Sequence, residues 1–139
     1  IDPSPYLCVP TAIRTLEDLA DGGWPGLRAH NHALALTARE HLCDVLDSPA
    51  AAPDSMLGSL ATVVLPDGEQ TAQSPPQVDA LEASLAADFG IDVPVFAFPR
   101  NPRRLLRVSA QIYNTEAEYA GLAAALRELL STSVPGQKD

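Results

Sequence analysis

Residues 105–130, LLRVSAQIYNTEAEYAGLAAALRELL, change periodicity halfway along, and that change decides the fold. In Leu105–Gln111 a period of two places Leu106, Val108 and Ala110 on one face and Leu105, Arg107, Ser109 and Gln111 on the other, the pattern of a half-buried strand. Thr115 and Glu118 then form a capping box, and Tyr119, Leu122, Ala123, Leu126, Leu129 and Leu130 gather into one helical stripe. A strand with one apolar face, followed at once by a helix with one apolar stripe, can satisfy both by packing one on the other. That is the building unit of an α+β layer.

Working outward, Val93–Phe98 reads as a second strand, joined to the first as a hairpin through the polar connection Pro99-Arg100-Asn101-Pro102-Arg103. Ser74-Pro75-Pro76-Gln77 has the cap, the N1 proline and the N3 glutamine of a helix start, continued by Val78, Leu81, Leu85 and Phe89 to Gly90. Leu60–Leu65 (LATVVL), bounded by Gly58 and Pro66-Asp67-Gly68, reads as a further strand, and residues 48–54 (SPAAAPD) as a loop. At the start of the chain Ser4-Pro5 reads as an N-cap and N1 pair. Tyr6, Val9, Ile13, Leu16 and Ala20 follow at helical spacing up to Gly22-Gly23, with Pro10 expected to break or kink the helix. A longer helix from Trp24 to about Leu46 carries Leu27, Leu34, Ala35, Ala38, Leu42 and Val45 in one stripe, with Asn31 inside it. The order α-α-β-α-β-β-α predicts an α+β fold: a small, mostly antiparallel sheet of about three strands covered on one face by helices. The expected domain is 1–132, with 133–139 a disordered tail.

At 139 residues and 46% hydrophobic composition, the sequence suits one core rather than two domains. Eighteen acids against nine bases give a net charge of −9, which disfavours nucleic acid and anionic membrane partners. No stretch approaches the roughly 18 apolar residues of a membrane span, and the opening IDPSPYL lacks the basic and apolar regions of an export signal, so a cytoplasmic protein is expected. A start at Ile1, directly on a helix signal, suggests a piece of a longer protein. Cys8 and Cys43 have no CxxC spacing and read as ordinary reduced thiols.

Few residues suit chemistry. Arg107 lies on a strand and points away from the apolar face; its planar fork could hold a carboxylate by two parallel charge-assisted hydrogen bonds, although a surface arginine is the commoner outcome. Arg100, Arg103 and Arg104 cluster in the preceding turn, where solvation or pairing with acids is expected on so acidic a chain. His30, His32 and His41 lack the i, i+4 spacing of a helical metal site, so no metal is expected. Asn31 reads as a buried amide that fixes packing; Trp24 and Pro25 read as a packing residue and a helix-start residue. No GxSxG, HExxH or Walker sequence occurs. Lys138 is the only lysine, placed where no preorganised pocket could hold it.

Four stretches together resemble the class V aminotransferase family of pyridoxal-phosphate (PLP) enzymes, most closely its isopenicillin N epimerase-like branch. They are DPSPYLCVPTAI (2–13), RAHNHALALTAREHL (28–42), PDSMLGSLATVVLP (53–66) and LLRVSAQIYNTEAEY (105–119). The resemblance implies the C-terminal small domain of a fold-type I PLP enzyme, usually a homodimer, acting on an amino acid. It implies a PLP-binding large domain of the same protein as partner, which would supply the Schiff-base lysine and most cofactor contacts. By the resemblance Arg107 clamps the substrate α-carboxylate, with Ser109, Gln111 and Asn114 as supporting residues. No catalytic or cofactor-binding residue is expected in this chain, and it should be inactive alone. Epimerisation, removal of sulfur or selenium from cysteine-like substrates, and β-elimination all occur among chains that share the resemblance. An autonomous small-molecule-binding or dimerisation domain is the alternative from another class.

Overall fold

In the computed structural model, residues 2–68 and 78–132 are described. Helix α1 (Ser4–Leu19) is followed by α2 (Gly23–Leu46), a 3-10 turn (Asp54–Met56), strand β1 (Leu60–Val64), helix α3 (Ala80–Phe89), the hairpin β2 (Val95–Ala97) and β3 (Arg104–Ser109), and helix α4 (Glu116–Thr132). The element order is the one the sequence predicts. Strand β3 is the middle of a three-stranded sheet ordered β1-β3-β2, antiparallel on both sides.

Alternation along the strands divides the sheet into two unlike faces. Ala61, Val63, Val95, Leu106 and Val108 are buried, each 7% exposed or less. They pack beneath Leu34, Ala35, Ala38 and Leu42 of α2, Leu81 and Leu85 of α3, and Tyr119, Leu122, Ala123 and Leu126 of α4. The fold is thus α+β, with the described helices gathered on one face of the sheet. Each fully buried aliphatic side chain contributes about 1.5–3 kcal/mol of transfer free energy. The α4 start is held as expected: the Thr115 backbone N–H donates to Glu118 Oε2 at 2.6 Å, closing half of the capping box.

Several boundaries differ from expectation. Helix α1 runs unbroken through Pro10. Proline deprives the Tyr6 carbonyl of its helical donor, but the helix is exposed along almost its whole length, where water can replace that bond. Ser4 is already helical and does not cap; Asp2 does so from outside, its Oδ1 accepting from the Ser4 N–H (3.0 Å) and hydroxyl (2.7 Å). Val78 precedes the third helix, which starts at Ala80 with Asp79 Oδ1 accepting from the Leu81 N–H at 2.8 Å. The expected start at Ser74–Gln77 and the expected tail at 133–139 lie outside the described residues.

The α1–α2 connection is tight. Gly22 (φ +76°) and Gly23 (φ +60°) take left-handed backbone, and a Cβ on Gly26 would lie 1.8 Å from the Asp21 carbonyl oxygen. Only glycine lets the first turn of α2 close there.

Candidate functional site

Among the described residues nothing covers the face of the sheet away from the helices, and Arg107 stands on its central strand. Backbone bonds from Ala110 N–H to the Ser59 carbonyl (2.7 Å) and from Leu65 N–H to the Arg104 carbonyl (3.1 Å) fix the phase of the β1–β3 ladder. Arg107 and its partner Thr62 therefore form a non-hydrogen-bonded pair, the closer of the two antiparallel geometries. The same registers place Leu60 opposite Ser109, and Val64 and Phe96 on either side of Leu105. Leu60 (48% exposed), Val64 (39%) and Phe96 (37%) leave apolar surface open around the arginine.

Arg107 is exposed, and its guanidinium enters neither ion pair found among the described residues, Arg39–Asp54 and Arg104–Asp79. Its backbone N–H is fixed to the Pro94 carbonyl at 3.2 Å. A rigid central strand thus carries an uncommitted planar cation beside apolar side chains, where a carboxylate could be held in one orientation.

The residues named as possible supports divide. Ser109 shares the open face and is exposed, while its carbonyl accepts from the Tyr119 hydroxyl at 2.7 Å. Burial, then the neighbouring Glu118 and Tyr113, pushes the Tyr119 phenol above its ordinary pKa, consistent with a hydroxyl that donates and stays neutral. Gln111 turns toward α2 instead: its Oε1 accepts from Asn31 Nδ2 (2.9 Å) and from the Ile112 N–H (2.8 Å). Asn114 folds back on the same turn, its Oδ1 accepting from the Gln111 N–H at 3.0 Å. Both brace the β3–α4 connection. Asn31 is 6% exposed, as its place in the stripe implied, and its Oδ1 is buried with no hydrogen-bond partner among the described residues.

In the basic turn, Arg104 donates to Asp79 Oδ1 (2.8 Å) and to the Pro66 carbonyl (2.9 Å), while Arg100 and Arg103 are exposed. His30 and His41 are exposed, and His32 Nδ1 lies 3.2 Å from the Gly58 carbonyl. Among the described residues no cluster of His, Cys, Asp and Glu could hold a metal ion, and none of these residues is a lysine that could carry a Schiff base. A surface hollow of about 590 Å³ at the end of α2 is lined by Cys43, Asp44, Asp47, Ser48 and Pro49. Its two carboxylates would repel a carboxylate ligand.

Sequence reasoning passed over Arg39. It is 8% exposed on α2 and donates to the Ala52 carbonyl (2.9 Å) and to Asp54, tying the 48–54 loop to the helix. The Arg39 hydrogen bond and charge hold the Asp54 carboxyl below its ordinary range. The signal was present: Arg39 follows Ala35 by four residues on the buried stripe, where a charge requires a partner.

No family model matches the chain. It is 38% identical over 130 residues to the isopenicillin N epimerase of Amycolatopsis lactamdurans, covering 92% of this chain and 30% of that protein. It is 26% identical over 154 aligned residues to putative L-cysteine desulfhydrase 1 of Oryza sativa subsp. japonica, covering 99% of this chain and 31% of that protein. The chain therefore spans less than a third of the length of these curated relatives.

Proposed function

We propose that this chain is the C-terminal, substrate-clamping domain of a longer PLP-dependent enzyme that resembles isopenicillin N epimerase and acts on an amino acid. The observation that carries this reading is Arg107: an arginine with no side-chain partner among the described residues, on the central strand of an open sheet face. It lies within the stretch 105–119 on which the family resemblance rests. Its part would be to receive the substrate carboxylate in a two-point hydrogen bond and so fix the orientation of Cα before any bond there breaks.

The described residues do not fit the cofactor itself. The only lysine of the sequence is Lys138, and no cradle for a phosphate is evident on the open face. The cofactor would belong to another part of the longer polypeptide, and the role of this chain is confined to binding and orienting.

The similarity to a desulfhydrase over 99% of the chain favours one second reading, a domain of an enzyme that cleaves a C–S bond of a cysteine-like substrate. Both readings use the same clamp. A purely structural dimerisation module would be favoured by an arginine sealed in an internal salt bridge, which Arg107 is not.

The test is made in the full-length product of the reading frame. Arg107→Ala should raise KM for the amino acid by about 10- to 100-fold, the effect of losing one or two charge-assisted hydrogen bonds, while the PLP absorbance is retained. Arg107→Lys should recover only part of the loss, because an ammonium keeps the charge without the fork. Unchanged kinetics in both variants would remove the clamp.

A further inference from the structure

The sheet face that holds Arg107 carries a second arginine. Just before β3 the ladder already runs for one more residue: the Phe98 N–H donates to the Arg103 carbonyl at 3.0 Å, and the Leu65 N–H donates to the Arg104 carbonyl at 3.1 Å. Alternation then puts Arg103, Leu105 and Arg107 on one side of the strand and Arg104 and Leu106 on the other. Arg104 obeys that division, because its guanidinium goes to Asp79, the cap of α3, on the helical side. Arg103 is exposed and, like Arg107, enters neither ion pair found among the described residues.

The registers fix what lies between the two arginines. Leu105 is flanked by Val64 on β1 and Phe96 on β2, and Phe98, bonded across to Arg103, is 60% exposed. Four residues of extended strand hold the Arg103 and Arg107 Cα atoms about 13 Å apart. The face is therefore cationic at two points with an apolar saddle between them. No acidic residue stands at the positions of β1, β2 and β3 that share it. In a chain with eighteen acids against nine bases, two arginines on one face could readily have been given carboxylate partners. A single α-carboxylate would occupy the Arg107 fork and leave the second one unused.

We infer that Arg103 is a specificity-determining residue for the substrate that Arg107 clamps: the substrate is an amino acid whose side chain crosses Leu105 and Phe96 by an apolar stretch and ends in a second carboxylate, which Arg103 receives. This deepens the proposed function and rests on it for the first carboxylate. The two forks together measure the ligand, since each accepts a carboxylate in a planar, two-point hydrogen bond and the rigid strand sets their separation. A short side chain such as that of cysteine cannot reach from one to the other. The second contact thus sorts long dicarboxylic amino acids from short ones and from long ones that end in a methyl group.

Binding to the full-length product, measured by calorimetry, tests this with three probes. L-α-aminosuberate has a second carboxylate at the end of a long apolar chain, L-α-aminooctanoate has the same chain ending in a methyl group, and L-aspartate has a second carboxylate too near the first to span the face. The full-length protein should bind aminosuberate at least about tenfold more tightly than aminooctanoate, the effect of one added charge-assisted hydrogen-bonded contact, and aspartate should gain nothing from its second carboxylate. Arg103→Ala should erase the preference for aminosuberate and leave the affinity for aminooctanoate unchanged; Arg103→Glu should reverse the preference, and Arg103→Lys should keep part of it. Equal binding of the two long probes by the unmodified protein, or a preference that survives both Arg103→Ala and Arg103→Glu, overturns the inference. Arg107→Ala separates it from the clamp. That variant should weaken both long probes alike; if it weakens neither, the clamp itself fails, whereas an unchanged preference in the Arg103 variants beside an intact Arg107 effect removes only the second contact.

Discussion

Helices α1 and α4 are nearly equal in length, at 16 and 17 residues, and the sequence marks both as amphipathic. In α4 the stripe is spent inside the molecule: Tyr119, Leu122, Ala123 and Leu126 are 6%, 2%, 5% and 0% exposed. In α1 the equivalent stripe faces outward except at its last turn. Amphipathic spacing therefore announces that a face requires cover, and says nothing about whether the cover lies in the same domain. The difference also separates the energetics. The sheet, α2, α3 and α4 share one core, so damage to any of them should be global, whereas damage to α1 should be local.

The largest effect should come from Leu126→Ala. The side chain is fully buried between helices and sheet, so truncation removes its transfer free energy and leaves a cavity, costing about 2–5 kcal/mol. The urea midpoint should fall accordingly at constant slope. A loss below about 1 kcal/mol would mean that α4 is held as loosely as α1, and the contrast between them would fail.

A smaller effect sharpens how α4 is fastened. Asn31 Nδ2 donates to Gln111 Oε1, and Ile112 N–H donates to the same oxygen, so the amide orientations are set by the network: Gln111 must accept and Asn31 must donate. Asn31→Asp replaces that donor with a carboxylate oxygen facing another acceptor. The expected cost at pH 7 is about 1–3 kcal/mol, the range for an unsatisfied buried group. The sign of its pH dependence is diagnostic. Burial against an acceptor raises the folded-state pKa of the new carboxyl above its unfolded value, so the cost should shrink as pH falls toward the unfolded value and the protonated acid can donate. Asn31→Leu removes the donor and the orphaned Oδ1 together and should cost less. If the Asp and Leu variants are equally stable at pH 7, the Asn31–Gln111 bond does not anchor the turn.

The same contrast explains what the sequence could and could not disclose. Strands, hairpin, element order and the two faces of β3 were legible because alternation and capping are local codes, read within ten residues. The passage of α1 through Pro10 was not, because a proline ends a buried helix but costs far less where water can reach the freed carbonyl. That Asp79 caps α3 was hidden because its side chain also has a second task, binding Arg104 from a distant segment. The Arg39–Asp54 tie joins residues fifteen apart through a loop of no fixed period, so spacing could not reveal it. For the candidate site, spacing assigned Arg107 its face. Its lack of an ion pair among the described residues, and the turning of Gln111 and Asn114 toward the β3–α4 connection, depend on contacts between distant segments.

The smallest expected effect is the one that most directly tests whether α1 belongs to this core. Ile13 is the same kind of side chain as Leu126, at a corresponding place on an amphipathic stripe, but it is 46% exposed. In the 139-residue chain Ile13→Ala removes little apolar area from contact, and alanine is the better helix former by a few tenths of a kcal/mol. The two terms oppose, so the unfolding midpoint should move by no more than about 0.5 kcal/mol in either direction. A loss approaching that of Leu126→Ala would place α1 inside the cooperative core and break the contrast with α4. A near-zero change would instead keep α1 outside the cooperative core that α4 belongs to.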